Sequence, residues 1–325
     1  MKLKKNLYHL ILTITILAVF FSAWSCSSIK KTWDNANLFP VSQDIELGKQ
    51  VYDEILANPS EYPIVPEKGN EQIYSYVRGI VSKLLATGNV SYARDFAWKI
   101  SIINDPKVQN AFATPGGYIF LYTGLMKFLD SEDQLAGVLG HEMAHAAKRH
   151  STRQLTKILG VQVLADAVLG KKETVKQVAT AIVGLSFSRD NETEADSFSV
   201  KYLCPTPYNA SGAAGFFKKI AGQATPPEWM STHPNPSNRI KNIESKAKAL
   251  NCKGTQTYTS QYQTIKTLID NIPTAPKVQS TKVNPTGSNN KPSGSGNTKT
   301  DDPMNKNKPG TSGTSGTPGK VIKKN

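Results

Sequence analysis

Cysteine is scarce in this chain, with three residues in 325. That excludes a miniprotein held together by dense disulfides. Long apolar runs are missing as well. The longest, Leu10–Phe21, covers 12 residues and contains Thr13 and Thr15, well short of the ~20 that a membrane-spanning helix needs. No motif recurs at a period of about 20–50 residues, which argues against a solenoid. Acidic residues are the minority charge, 25 against 39 Lys and Arg, for a formal net charge of +14. Such an excess points to an anionic partner only if it gathers on one folded surface. It does not. Residues 1–25 hold three Lys and no acid, and residues 273–325 hold nine Lys and two Asp. Subtracting +3 and +7 from +14 leaves +4 for residues 26–272, so the basicity gives no reason to expect a nucleic-acid partner.

What the chain does have is an address, a body and a tail. Lys2, Lys4 and Lys5, the short apolar run, and Ser22-Ala23-Trp24-Ser25-Cys26 have the anatomy of a signal peptide, residues 1–25. The small residues before Cys26 resemble a bacterial lipobox, in which the cysteine is lipidated and becomes the new N-terminus. Plain secretion with cleavage near Ser25 is the alternative. Either route leads to an exported, disulfide-permissive compartment, where Cys204 and Cys252 form an even pair. They are expected to bridge the end of one helix to the end of the last, or else to stay as two buried thiols. From Pro273 to Asn325 the chain has seven Gly, seven Pro and no aromatic residue. That tail cannot bury enough apolar surface to offset its ordering entropy and reads as a disordered, low-complexity spacer.

Between them, residues 40–272 have the apolar content for a real core, the whole chain being 38% hydrophobic. Helical spacing covers 43–56 and 70–86, the latter through Ile73, Val77, Ile80, Val81 and Leu84. Strands are predicted at 96–103 and 118–122, separated by the turn signal Pro115-Gly116-Gly117. A helix opens after Asp130 and Ser131, with Glu132 and Asp133 in its first turn, and runs to about Arg149. Further helices follow at 151–169, 175–185, 189–203 behind a Ser188 cap, 209–221 and 236–250. The fold class is α+β and helix-rich.

The chemistry lies in His141-Glu142-Met143-Ala144-His145, an H-E-x-x-H motif. On a helix its two histidines fall one turn apart on one face, where both imidazoles can reach one zinc ion. Glu142 points about 100° round from His141, placed to act on water rather than to ligate. Two incidental histidines on a helix are the alternative reading. Catalytic zinc wants three protein ligands and one open position. The best source of the third is Glu192, with Asp196 four residues on to accept the free N–H of a ligand histidine. An exposed acidic helix start is the bland reading of both. Glu194 faces another way and serves as a contrast. His150, at a helix end beside Arg149, reads as a solvated charge. His233, in Ser231-Thr232-His233-Pro234, is either a surface loop histidine or a donor to the oxyanion of a tetrahedral intermediate, with Arg239 as a charged helper.

Together these residues resemble the zinc metallopeptidases of family M48, the group of HtpX-like proteases and CAAX prenyl proteases. The resemblance rests on Asn110–Phe120 (NAFATPGGYIF), Gly124-Leu125-Met126, Gly140–His145, Ser188-Arg189 leading to Glu192–Asp196, and Ser231–Pro234 with Arg239-Ile240. It implies a zincin-like gluzincin domain with a small sheet and an active-site helix. One zinc would be held by His141, His145 and Glu192, with Glu142 as general base and Asp196 behind the ligands. It also implies an edge strand in the 116–122 region, Gly116, Gly117, Tyr118 and Ile119 included, beside which an extended polypeptide substrate lies. The multi-span membrane helices and tetratricopeptide repeats of some members are absent, so the resemblance is to the exported single-domain lipoprotein branch. The expected role is endopeptidase quality control of misfolded or unassembled envelope proteins, from a lipid anchor on the periplasmic side of the outer membrane. A zinc-binding but proteolytically silent envelope chaperone and a basic tethering protein are the other classes to be told apart.

Overall fold

The computed structural model describes residues 37–221, 227–234 and 238–273. The signal peptide, Cys26 and nearly all of the tail lie outside them. Among the described residues no helix is long and apolar enough to cross a membrane.

Apolar residues at helical spacing build the first two elements. Helix α1 (Val41–Leu56) buries Leu47, Val51 and Ile55, and α2 (Glu71–Leu85) buries Ile73, Val77, Ile80, Val81 and Leu84. Three strands follow: β1 (Lys99–Ile103), β2 (Ala111–Thr114) and β3 (Tyr118–Tyr122). The β2–β3 corner is the Pro115–Gly117 turn, where Gly116 and Gly117 take φ of 72° and 84°, conformations that suit glycine. Spatial order is β1-β3-β2, with β1 parallel and β2 antiparallel to β3.

That order corrects one expectation. Tyr118–Tyr122 is the central strand, and its backbone is paired on both sides, so Tyr118 and Ile119 cannot serve a substrate as a free edge. The edge on the β2 side is Ala111–Thr114 itself. Its four residues are all buried, so it shows none of the in–out alternation by which a half-exposed strand is read.

The sheet is covered on both faces. Ile100, Ile102, Ile119 and Leu121 join a core with α2 and the later helices, while Phe112, Tyr118, Phe120 and Tyr122 join a second core with α1. After β3 come α3 (Thr123–Phe128) and α4 (Glu132–Ala147), the H-E-x-x-H helix. It is buried almost all round, including Leu135, Leu139 and Met143. The single helix expected over 151–169 is two, α5 (His150–Leu159) and α6 (Val161–Val168), because Gly160 turns the chain at φ 84°. Then follow α7 (Lys172–Val183), α8 (Arg189–Leu203), α9 (Gly212–Ile220), the short α10 (Trp229–Thr232), α11 (Arg239–Ala249) and α12 (Thr259–Asp270). Ser188 caps α8 through its hydroxyl, which accepts the Asn191 N–H. A disulfide joins Cys204, at the end of α8, to Cys252, just past α11. The bridge therefore ties α8 to the helix expected over 236–250, which is the penultimate one because α12, not foreseen from the sequence, follows it.

Candidate metal centre

Helix α4 lies against α8, and small residues set how closely. A Cβ on Gly140 would sit 2.9 Å from the Ser199 hydroxyl, and one on Gly137 would sit 2.3 Å from the Ala213 nitrogen of α9. The close approach brings Glu192 of α8 across to the histidines of α4. His141 Nε2 and His145 Nε2 are 3.0 Å apart. The Glu192 carboxylate is 3.4 Å from His145 Nε2 and 3.5 Å from His141 Nε2. One donor atom from each of His141, His145, Glu192 and His233 fits within 4.8 Å, and all four residues are buried.

The surrounding contacts aim these donor atoms at one point. Asp196 Oδ1 accepts from His141 Nδ1 at 2.9 Å, so the Nδ1 proton is fixed there and the Nε2 lone pair is turned inward. His145 turns its Nε2 to the same point. Glu192 is buried, with its Oε2 facing the Arg239 guanidinium at 3.0 Å and its Oε1 3.1 Å from His233 Nδ1, so the carboxylate is held charged at the centre. Electrostatics agree. Burial alone would raise the Glu192 carboxyl, but His233, His141 and His145 hold it far below the usual carboxylate range. Burial opposes charge on His141, yet Asp196 and Glu192 hold its ring up to about 9. His145, by burial chiefly, is pushed well below the ordinary imidazole range. Two nitrogens and a carboxylate oxygen around one point are a donor set that zinc takes readily.

Glu142 lies beside the cluster and outside it. Its Oε1 accepts from Trp229 Nε1 at 3.3 Å and faces His233 Nε2 at 3.5 Å, while Oε2 has no partner. Burial raises its pKa against the pull of His233 and His141, as suits a general base. Trp229, which sequence reasoning missed, also stacks on His233 with centroids 4.3 Å apart. Phe187 covers His145 at 4.0 Å. Neither aromatic has a motif of its own; each is brought in by the chain fold.

Three residues make contacts that the sequence does not show. Arg239, expected as a charged helper to an oxyanion, leaves its Nη1 without a hydrogen-bond partner among the described residues. Its Nε and Nη2 clamp Asp196 at 2.6 and 2.8 Å, and Nη2 faces Glu192 Oε2 at 3.0 Å. It holds the acids that hold the histidines, with Phe217 and Trp229 against its guanidinium. His150 is not a solvated charge: it is 0% exposed, with Nδ1 3.0 Å from His145 Nδ1. Glu194 is not among the metal donors and instead meets His150 and Lys148. Gly116, Gly117, Tyr118 and Ile119 lie in the sheet and its corner, and none is among the metal donors.

An H-E-x-x-H helix with a glutamate donor on a second helix defines a gluzincin type of metallopeptidase centre. The chain belongs to peptidase family M48, whose family model matches residues 71–247. It is 27% identical over 209 residues to the mitochondrial metalloendopeptidase OMA1 of Schizosaccharomyces pombe, a match covering 59% of this chain and 60% of that protein. It is 29% identical over 192 residues to the beta-barrel assembly-enhancing protease of Yersinia pestis, covering 53% of this chain and 38% of that one. The protein of the same name from Escherichia coli K12 is 29% identical over 164 residues, covering 45% and 34%. The chain thus spans less than two thirds of these relatives' own lengths.

Proposed function

We propose that this protein is a zinc-dependent endopeptidase of the bacterial cell envelope that hydrolyses internal peptide bonds of misfolded or unassembled proteins. The observation that carries it is Glu142: a buried carboxylate with one free oxygen, set beside three donors that suit zinc. His141, His145 and Glu192 would hold the ion. Zinc when bound supplies Lewis acidity toward a carbonyl and lowers the pKa of water to about 7. Glu142 takes the proton of the attacking water and returns it to the leaving nitrogen. Trp229 aims the Glu142 carboxylate by its N–H. Asp196 and Arg239 keep His141 and Glu192 in place.

Substrate recognition is assigned to β2 rather than to β3. Tyr122 donates its N–H to the Asn110 carbonyl, and the alternation of an antiparallel pair then turns Ala111 and Ala113 to the outer edge. There Ala111 N–H is taken by Asn110 Oδ1 and the Ala113 carbonyl by Ser151 Oγ. The Ala111 carbonyl and the Ala113 N–H, on the same edge, are the groups with which an added strand would pair. Backbone pairing favours extended chains over particular side chains, in keeping with a quality-control role. The relatives named for beta-barrel assembly support an envelope setting, as does the signal anatomy around Cys26.

One observation favours a second reading. His233 lies inside the same donor set, and four protein donors close a zinc site as structural sites are closed. A zinc-binding assembly factor without cleavage would look like this. Incubating the purified full chain with an unfolded protein, and sequencing the products by mass spectrometry, separates the two. Internal cuts that vanish with a chelator and return with zinc support the peptidase; a zinc-loaded chain that leaves the substrate intact supports the second reading. The anchor is tested apart from this: labelled palmitate should enter the wild type in a bacterial host and not Cys26→Ser.

A further inference from the structure

Helix α4 ends at Ala147, and Arg149 takes a left-handed φ of 58° before α5 begins at His150. In an unbroken helix a residue five places on would stand ~140° round the axis from His145. The corner at Arg149 cancels that rotation. It is pinned by Asp44 of α1, whose two carboxylate oxygens lie 2.5 and 3.0 Å from Arg149 Nε and Nη2, with the Phe39 carbonyl 2.5 Å from Nη2. Thr152 Oγ1 donates to the same Asp44 at 2.8 Å. A left-handed arginine held by a buried aspartate is a strained conformation kept by its surroundings. Its result is that His150 Nδ1 comes to 3.0 Å from His145 Nδ1, while His150 Nε2 lies 3.2 Å from Glu194 Oε2. Glu194 is steadied in turn by Lys148 at 3.1 Å.

The proton positions follow from these contacts if the metal reading above holds. His145 turns Nε2 into the donor cluster, so as a ligand it carries its proton on Nδ1. That N–H needs an acceptor, and His150 Nδ1 is the atom in place. A neutral His150 with a bare Nδ1 carries its own proton on Nε2, where Glu194 accepts it. No other assignment of these protons satisfies both contacts. We propose that His150 is the positioning residue of His145, fixing its tautomer and ring plane through this His–His–Glu chain, as Asp196 does for His141. The two ligand histidines are therefore held differently. His141 leans on a charged carboxylate, whereas His145 leans on a neutral ring with its carboxylate one step further out.

The test is the zinc affinity of the full chain, read by competition with a chromophoric chelator, beside melting of the zinc-free forms. His150→Phe fills the ring's space but accepts no proton, and is expected to bind zinc about 10- to 100-fold more weakly. His150→Asn, with an oxygen to accept and a nitrogen to donate, should recover most of that loss. Glu194→Ala should weaken binding in the same direction by less. Nitrogen-15 NMR of the zinc-loaded wild type should show His150 bare at Nδ1 and protonated at Nε2. A folded His150→Phe with wild-type affinity, or a His150 protonated at Nδ1, overturns the proposal. If His150→Phe does not fold, the tautomer and Glu194→Ala decide it. A folded wild type that binds no zinc would remove the metal reading and this inference together. Zinc bound equally by wild type and variants removes this inference alone.

Discussion

Asp196 and Trp229 act on the centre from different sides, and their loss should read out differently. Asp196→Asn weakens the hold on the His141 N–H and leaves Arg239 short of a charged partner. Zinc affinity should fall about 10- to 100-fold, by chelator competition. Trp229→Phe keeps most of the aromatic packing on His233 but deletes the N–H given to Glu142. Losing one such hydrogen bond is worth about 0.5–1.5 kcal/mol. Cleavage should therefore drop by roughly two- to twelvefold with zinc content unchanged. At this scale the sequence was legible where chemistry sits in a local pattern. His141, Glu142 and His145 are a spacing motif, and Glu192 and Asp196 are one helical turn apart. Trp229, Phe187 and His150 were not legible as site residues, because contacts across the fold bring each of them there. Arg239 was placed at the centre, though a sequence does not show that Asp196 and Glu192 engage its Nε and Nη2.

Helices announced themselves by caps and periodicity, and α8 falls on residues 189–203 as its Ser188 cap predicted. Strands were harder. The strand expected from Phe96 begins at Lys99, because Trp98 takes a φ of 42° just before it. Strand β2 is four buried residues between two others, too short and too uniformly apolar to be told from a loop. Without it the order β1-β3-β2 could not be foreseen, and the central strand was mistaken for an edge. The helix most exposed to test is α4, packed by glycine against α9. Gly137→Ala would drive a methyl to 2.3 Å from the Ala213 backbone. A backbone atom cannot swing aside, so overpacking should cost about 1–3 kcal/mol. Denaturant unfolding should show a lower midpoint, and the separation of α4 from its neighbours should lower zinc affinity with it.

Across the whole described body, two cores clasp the sheet, and one covalent tie closes the chain. The Cys204–Cys252 bridge spans a sequence separation of 48 residues, for which loop-closure entropy gives ~4 kcal/mol. Replacing both cysteines by Ala should lower unfolding stability by about 2–4 kcal/mol. The same shift should follow when reductant is added to the wild type. The net charge of +14, prominent in the composition, belongs mostly to segments outside this body. The charges that matter are buried at the centre, where His141, His145, Glu192 and His233 bring their donor atoms together. The most direct measurement of the central claim compares the wild type with Glu142→Gln for bound zinc and for cleavage of an unfolded protein. The wild type should hold one zinc and cut. Glu142→Gln should hold the same zinc and cut about 10²- to 10⁴-fold more slowly. Equal cleavage by both, or a folded wild type without zinc, would contradict it.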